Sequence, residues 1–400
     1  MDLQTALNVV SSTVQLSGVS DRALAAIVQG GLRTSRARPL SGLDGGIRVR
    51  AVDILHELAL ATRFSYHPTV LDAYSQWALL RYIGAFDLTT DVAPKLELSD
   101  AGQRVIANQR RVMSEELGIG VSVLLARRWF QRDFPASVLD VVDLDLAVES
   151  GLVDSPAGRR ADYLLASVDP STGHLLAHGL LESKGTVTPS YHVSQITSGA
   201  GQVENTTVEG RHLTGLVGGS LTGRHEIRYG VIEVIPRVGR RPIDLGEVAR
   251  QPGVRIRPPS SAQMLRRASA VDLLRSTWTK LAEIADDPEL FSLVAPERLK
   301  ERRAEGMSRP RGERIQKEVG DVNFVGTMTR VPLPGGELRA FLGVDALLLT
   351  ALRTGEPEAV AEVQGRARRL GDTQESLDRG TDDRVASVTA TGTALIIEAH

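Results

Sequence analysis

The chain has 400 residues, of which 42% are apolar and 24% charged. These values are ordinary for a globular protein with a buried core, and they exclude wholesale disorder. It contains no cysteine, which excludes disulfides, cysteine-ligated zinc and thiol catalysis. The formal net charge is −2, so any nucleic-acid-binding surface must be a local basic patch.

The N-terminal residues lack a basic segment followed by an apolar core, and no stretch is apolar for long enough to span a bilayer. We therefore expect a cytoplasmic protein without a membrane partner. Only five of the 47 basic residues are lysines. Because arginine stays protonated and cannot replace an amine in proton transfer, a lysine in this chain is a stronger candidate for chemistry than usual.

Residues 1–112 are predicted to form a helical region. Apolar spacing predicts helices at 2–16, 21–32, 52–62 and 69–82, with a loop at 33–49. A short strand then runs from Lys95 into a helix capped by Ser99, a pattern that resembles the end of a winged-helix domain. An ordinary helical bundle explains this pattern about equally well.

Residues 113–236 are predicted to form an α/β core. Its elements are a helix at 114–133, a β-rich run at 138–148, strands at 161–168 and 175–183, a helix at 191–208 and a strand at 229–235. The glycine-rich segment 215–223 has neither the Lys-Ser/Thr of a P-loop nor the spacing of a dinucleotide-binding turn. The sequence therefore gives no indication of a nucleotide-hydrolysing motor.

The remainder of the chain is predicted to be a linker followed by an α+β region. Residues 237–260 are rich in Arg, Pro and Gly, which favours a linker. Residues 261–400 contain a helix at 262–285, a hairpin turning at Pro334-Gly335-Gly336, a helix from Asp345 and a β-like tail at 385–398.

Three polar residues in the α/β core suggest a metal-dependent reaction. Glu182 and Lys184 lie two apart on a predicted strand and share one face, and the preceding hairpin can bring Asp162 beside them. Mg²⁺ prefers carboxylate oxygens, so Asp162 and Glu182 can hold it, with the backbone carbonyl of Ser183 as a further ligand. A metal-bound water can attack phosphorus, and Lys184 can orient that water or stabilise negative charge on the phosphate.

The motif and its flanking elements resemble the PD-(D/E)XK nuclease superfamily. That family's core runs helix, three strands, helix, strand, with an Asp on the second strand and (D/E)-x-Lys on the third. The similarity covers about a third of the chain, and Ala161 stands where the family's name has Pro. It implies a restriction-endonuclease-like mixed sheet flanked by helices and a Mg²⁺-dependent nuclease acting on DNA, with Mn²⁺ as a substitute. Restriction or antiviral defence is the biological setting that it suggests.

The resemblance also implies further site residues. Many members add a glutamate from the first helix, a role that Glu116 or Glu115 could fill, with Glu149 a third candidate. Members often carry a glutamine in the helix after the lysine, and Gln195 or Gln202 fits that position.

Two other groups of residues lie near the predicted core. Arg127 and Arg128 precede Trp129 in a cluster that could grip phosphates, although it equally fits the end of an amphipathic helix. His178 shares strand parity with Glu182 and could contact substrate, but a buried imidazole is the more common reason for a histidine there.

The main alternative treats the nuclease motif as structural. Glu-x-Lys is common by chance and usually marks a solvated pair, although this is the only such motif among the five lysines. A non-catalytic DNA-binding or scaffold subunit built on a degenerate nuclease fold is therefore the alternative function. A ligand-sensing transcriptional regulator is a third, without a clear basic recognition helix in the sequence. A homo-oligomer and a partner subunit both stay open.

Overall fold

A computed structural model describes residues 2–62, 80, 82–153, 159–169, 171–223, 225–237, 242–247, 261–304, 314–333, 336–377 and 383–400. Its helices are α1 Leu3–Ser11, α2 Arg22–Gln29, α3 Ala51–Ala61, α4 Asp100–Arg104, α5 Ala107–Asp133, α6 Leu144–Glu149, α7 Pro189–Asn205, α8 Ser261–Ile284, α9 Pro288–Val294, α10 Glu297–Ala304, α11 Ala346–Thr354 and α12 Pro357–Leu377. The predicted helix at 69–82 lies almost wholly outside the described residues.

The strands form a large central sheet, a smaller C-terminal sheet and two short pairs. They are β1 Thr13–Val19, β2 Ser35–Arg38, β3 Ile47–Arg50, β4 Phe86–Leu88, β5 Leu96–Leu98, β6 Asp140–Asp143, β7 Tyr163–Val168, β8 His174–Thr186, β9 Thr207–Val208, β10 Arg211–His212, β11 Gly215–Thr222, β12 Ile227–Pro236, β13 Ile243–Glu247, β14 Arg314–Val319, β15 Val322–Leu333, β16 Gly336–Asp345, β17 Arg384–Val388 and β18 Thr393–Ala399.

The central sheet is mixed, and the predicted α/β class is confirmed. Its strands run in the order β3-β1-β12-β11-β8-β7-β6, with β13 also pairing with β8 and β2 with β12. β6, β7 and β8 are antiparallel, whereas β8 and β11 are parallel. Helix α5 packs on one face and α7 on the other. This curled sheet with helices on both faces positions the residues discussed below.

The glycine-rich segment 215–223, for which no strand is predicted, contains the buried strand β11. A Cβ atom on Gly218 would lie 2.4 Å from the hydroxyl of Ser122 in α5, and one on Gly219 would lie 2.7 Å from Ile196 in α7. These glycines therefore allow a helix on each face to approach the sheet closely, which accounts for the composition of the segment without a nucleotide ligand.

The predicted boundary at residue 112 falls inside α5, and strands from both sides of it belong to one sheet. The predicted helix at 2–16 ends at Ser11, and β1 then pairs in parallel with β12 and antiparallel with β3. Val14 and Leu16 alternate with less buried neighbours along β1, a strand period that the helical prediction overlooked. The predicted loop at 33–49 contains β2 and β3. The described strands β1, β2 and β3 thus extend the central sheet.

The predicted linker at 237–260 also contributes to the sheet. Its described part contains β13, which pairs with β8, and residues 238–241 and 248–260 lie outside the described residues. The C-terminal region has an antiparallel sheet in the order β14-β15-β16-β18-β17. The predicted hairpin strands and the helix after Asp345 are confirmed, with Asp345 as the N-cap of α11.

One hydrophobic core joins the two sheets. It contains Leu55 of α3, Leu117 of α5, and Val344 and Ile397 of the C-terminal sheet. These residues come from all three predicted regions of the chain, so the regions share one interior. Among the described residues, no helix combines the length and apolar character needed to cross a membrane.

Candidate active site

Asp162 is held beside Glu182 by the backbone of β8. The amide of Asp162 donates to the carbonyl of Leu181 at 3.1 Å, and the amide of Ser183 donates to the Asp162 carboxylate at 2.9 Å. Tyr163 pairs with Leu181 in the antiparallel register of β7 and β8, so Asp162 comes opposite Glu182. The structure thus brings together the two carboxylates that the sequence pairs.

Glu182 and Lys184 lie on the same face of β8, as the strand period predicts. The Lys184 amine donates to the Oε1 atom of Glu182. The Glu182 side chain is completely buried, and its Oε2 atom has no hydrogen-bond partner among the described residues. A buried carboxylate oxygen without a partner is costly, and it calls for a cation, a proton or water at that position.

The end of β8 opens into a cleft of about 660 Å³. Asp162 and Lys184 lie in its wall, whereas Glu182 sits behind them. The wall carries both signs of charge and four neutral hydrogen-bonding side chains: Glu115, Asp143, Asp145, Asp162, Arg159, Arg160, Lys184, Tyr163, Ser183, Gln195 and Ser198. A cleft of this size and polarity can admit part of a charged polymer or a small polar ligand.

Burial dominates the electrostatics of the two carboxyl groups. It raises the pKa of Glu182 to about 8, with a further rise from Asp162 and a partial opposing effect from Lys184. The pKa of Asp162 is also raised by desolvation, although its side chain is open to the cleft, and the Ser183 amide and Lys184 oppose that rise. Burial thus favours the protonated form of Glu182 when no cation lies beside it.

This raised pKa has a consequence for stability. Because the pKa of Glu182 in the folded chain lies above its unfolded value of 4.5, the unfolded state releases its proton first as the pH rises. The contribution of Glu182 to the free energy of unfolding consequently falls between about pH 4.5 and pH 8. A divalent cation that favours the ionised form would offset this loss.

Close backbone contacts place the helices against the site. A Cβ atom on Gly185 would lie 1.8 Å from the carbonyl oxygen of Ser114 in α5, and one on Gly118 would lie 2.7 Å from the carbonyl oxygen of Lys184. On the other face, a Cβ atom on Gly199 of α7 would lie 2.9 Å from the Cγ atom of Glu182. Glycines at these three contacts thus allow both helices to approach the end of the sheet closely.

The three candidate helix glutamates occupy different environments. Glu115 lies in the wall of the cleft, 4.0 Å from Arg111. Glu116 accepts a hydrogen bond from the Tyr82 hydroxyl and is not in the cleft wall. Glu149 pairs with Arg298. The position favours Glu115 over Glu116 as an additional ligand.

The two candidate glutamines also differ. Gln195 lies in the cleft wall, where its amide can reach a ligand. Gln202 lies about two helical turns further along α7. Its side-chain amide donates to the carbonyl oxygen of Arg160 at 2.8 Å and so holds the backbone just before Asp162. The structure therefore places Gln195 at the site and gives Gln202 a supporting contact.

Arg127 and Arg128 do not lie in the cleft. Arg127 forms an ion pair with Glu57 and donates to the carbonyl of Leu139 at 2.7 Å, and Arg128 donates to the carbonyl of Arg48. Arg127 is twelve residues beyond Glu115 on α5, a separation of about 18 Å at 1.5 Å per residue. Their predicted contact with a substrate in this cleft is therefore not supported by their position.

His178 lies on the opposite face of the sheet from Glu182, so the expected parity is wrong. The register between β7 and β8 shifts between Leu165 and Ala166, which reverses the alternation beyond that point. His178 packs 4.8 Å from the ring of Phe130 and bonds to the hydroxyl of Ser167 at 2.8 Å. Burial lowers its pKa to about 4, as for a neutral core imidazole.

Sequence reasoning missed Asp143 and the basic pair Arg159 and Arg160. Asp143 pairs with Tyr163 across β6 and β7, caps α6, and its carboxylate contributes to the raised pKa of Asp162. The aspartates at 140, 143 and 145 are the available signal. The sequence predicts one β-rich run through them, whereas the chain turns into α6 at Leu144.

Within the described residues, no group of three or more His, Asp or Glu side chains is arranged to hold a metal ion. The converging pair is Asp162 and Glu182, with Glu115 and Asp143 in or beside the same cleft. Comparison with known proteins finds no family model, no curated protein and no solved structure that matches the chain. The functional interpretation consequently rests on the residues themselves.

Proposed function

We propose that the chain is a metal-dependent nuclease that hydrolyses phosphodiester bonds in DNA. In this proposal, Asp162 and Glu182 bind Mg²⁺ and Lys184 is the catalytic amine. The observation that carries it is the backbone-fixed pairing of the two carboxylates, with the Lys184 amine on Glu182, at the mouth of a polar cleft.

The order of elements around the site supports the proposal. Helix α5 is followed by β6, β7 and β8, then by α7 and by β11, which pairs in parallel with β8. Asp162 immediately precedes the second of these strands, and Glu182 and Lys184 are on the third. This is the arrangement that the PD-(D/E)XK resemblance implies, with α6 inserted after β6 and β11 in place of the expected strand at 229–235.

The residues present fit a divalent cation. The buried Oε2 atom of Glu182 has no partner, and the Asp162 carboxylate lies beside it and opens on the cleft. Two carboxylates, together with the proposed Ser183 carbonyl and waters, are a ligand set that Mg²⁺ or Mn²⁺ accepts, with Glu115 within the same cleft. When bound, the cation would polarise a phosphoryl oxygen and make a water molecule easier to deprotonate.

The side chains around the carboxylates have complementary roles. Lys184 is partly exposed to the cleft, and its amine contacts Glu182. Its positive charge can therefore stabilise the negative charge that develops on a phosphate during the reaction. Arg160 also lies in the cleft wall and can position a neighbouring phosphate. Gln195 can donate to the substrate from α7.

Incubating the purified protein with plasmid, linear duplex, single-stranded DNA and RNA tests this function. We expect cleavage of DNA with Mg²⁺, its loss on chelation and its return with added Mn²⁺. Gel analysis of end-labelled substrates would show the products. DNA binding without cleavage of any substrate, at any divalent cation concentration, would instead support the scaffold function and contradict the enzyme.

A further inference from the structure

A second polar cavity shares no lining residue with the cleft. It has a volume of about 490 Å³. Its basic lining, here called the arginine pocket, comprises Arg48, Arg50, Arg127, Arg128 and Arg368. Arg50 is buried, Arg127 and Arg368 are half-buried, and Arg48 and Arg128 are exposed, so the pocket gathers like charges around a space open to solvent.

Carboxylates account for only part of this charge. Arg50 forms a bidentate ion pair with Asp53, with one nitrogen–oxygen distance of 2.6 Å. Arg127 forms a bidentate ion pair with Glu57. Asp372 is the remaining carboxylate of the lining. Among the lining residues that the structure describes, five arginines stand against three acids, an excess of two positive charges.

Two of the arginines have donors to offer a ligand. Arg128 donates to the carbonyl of Arg48, and Arg368 donates to the carbonyl of Pro135. A guanidinium has five N–H donors, so one such bond leaves most of each group available. Thr13 and Gln131 add neutral hydrogen-bonding groups to the wall, whereas the Ser387 hydroxyl already donates to Asp53 at 2.8 Å.

We propose that the arginine pocket binds a phosphorylated small molecule carrying at least two negative charges. Arginine suits this ligand because its planar donors match phosphate oxygens in pairs. The volume is in the range of small-molecule sites, too large for a lone ion and sufficient for a pyrophosphate or a nucleoside diphosphate.

The position of the pocket gives such a ligand a structural consequence. Its walls come from β3, from α5 and from α12 with the residues after β17, which belong to three different parts of the chain. A ligand there would join the C-terminal sheet to the central one. Because it would bind the folded chain and not the unfolded one, it would raise the melting temperature.

Calorimetric titration of the full chain with pyrophosphate, ADP and adenosine, without divalent cations, tests the proposal. We expect pyrophosphate and ADP to bind with one site per chain and adenosine not to bind. Arg128→Ala and Arg368→Ala should each weaken binding by about tenfold, the usual loss for one charge-assisted contact. The melting temperature should rise with ligand in the parent chain and less in either variant.

Two control variants distinguish binding in the arginine pocket from binding elsewhere on the protein. Arg132→Ala removes an arginine one turn beyond Arg128 on α5 that lies outside the pocket and pairs with Asp133, so binding should be unchanged. Lys184→Met should likewise leave binding intact, since it alters only the cleft. Failure of pyrophosphate and ADP to saturate, binding unaffected by both pocket variants, or binding lost in Lys184→Met would each overturn the proposal. None of these results depends on whether the chain cleaves DNA.

Discussion

Replacing Glu182 with Gln, or Lys184 with Met, is expected to reduce Mg²⁺-dependent DNA cleavage by about a thousandfold or more. Glu182→Gln keeps the shape of the side chain but removes the charge that would bind the cation. Lys184→Met keeps the length but removes the positive charge beside the reacting phosphate. Losses of this size are usual when one group that stabilises transition-state charge is removed. Initial rates on an end-labelled duplex, at saturating Mg²⁺, measure the effect.

Two matched substitutions separate chemistry from general damage. Asp169→Asn changes a carboxylate in the same hairpin, but at its far turn, where Asp169 bonds to Ser171. Lys317→Met removes a strand lysine that is also paired with a glutamate, Glu398, in the C-terminal sheet. Both should retain the parent rate. Equal losses in the controls, or near-parent activity in Glu182→Gln, would contradict the assigned roles.

Gly185→Ala should lower the free energy of unfolding by about 3 kcal/mol, as overpacking against a rigid neighbour does. The added methyl group would lie 1.8 Å from the Ser114 carbonyl oxygen, which is backbone and cannot rotate away. Either α5 or the end of β8 must move. Because Lys184 is adjacent, cleavage should fall as well. Denaturant unfolding followed by circular dichroism measures the stability change.

Gly201→Ala provides the matched control for this change. Gly201 lies in α7, and a Cβ atom there would have nothing within 4 Å. The substitution should therefore raise stability slightly, by up to about 1 kcal/mol, since alanine favours a helix over glycine. Unchanged stability in Gly185→Ala would show that α5 does not approach β8 as closely as the structure has it.

The local motif was predictable from the sequence because it depends on short-range rules. The two-residue strand period put Glu182 and Lys184 on one face, and the turn at 169–173 brought Asp162 back beside them. Helix α5 and helix α7 followed from apolar spacing and differ from prediction mainly in their ends. These features depend only on residues within one hairpin and its two flanking helices.

Features that depend on distant partners were not predictable. Strand β1 was assigned to a helix because its parallel partner, β12, lies more than two hundred residues away. Strand β11 was overlooked because its glycines are explained only by the helices packed on both faces. The reversed orientation of His178 comes from a shift of register that no local pattern indicates.

Diffraction from crystals soaked in Mn²⁺, with anomalous differences recorded near the manganese edge, tests the central hypothesis most directly. A peak between the carboxylates of Asp162 and Glu182, in contact with both, is the expected result. Crystals of the Glu182→Gln variant, soaked in the same way, should lack this peak. Manganese bound only elsewhere, with the Glu182 carboxylate still held by Lys184 alone, would contradict the proposed metal site.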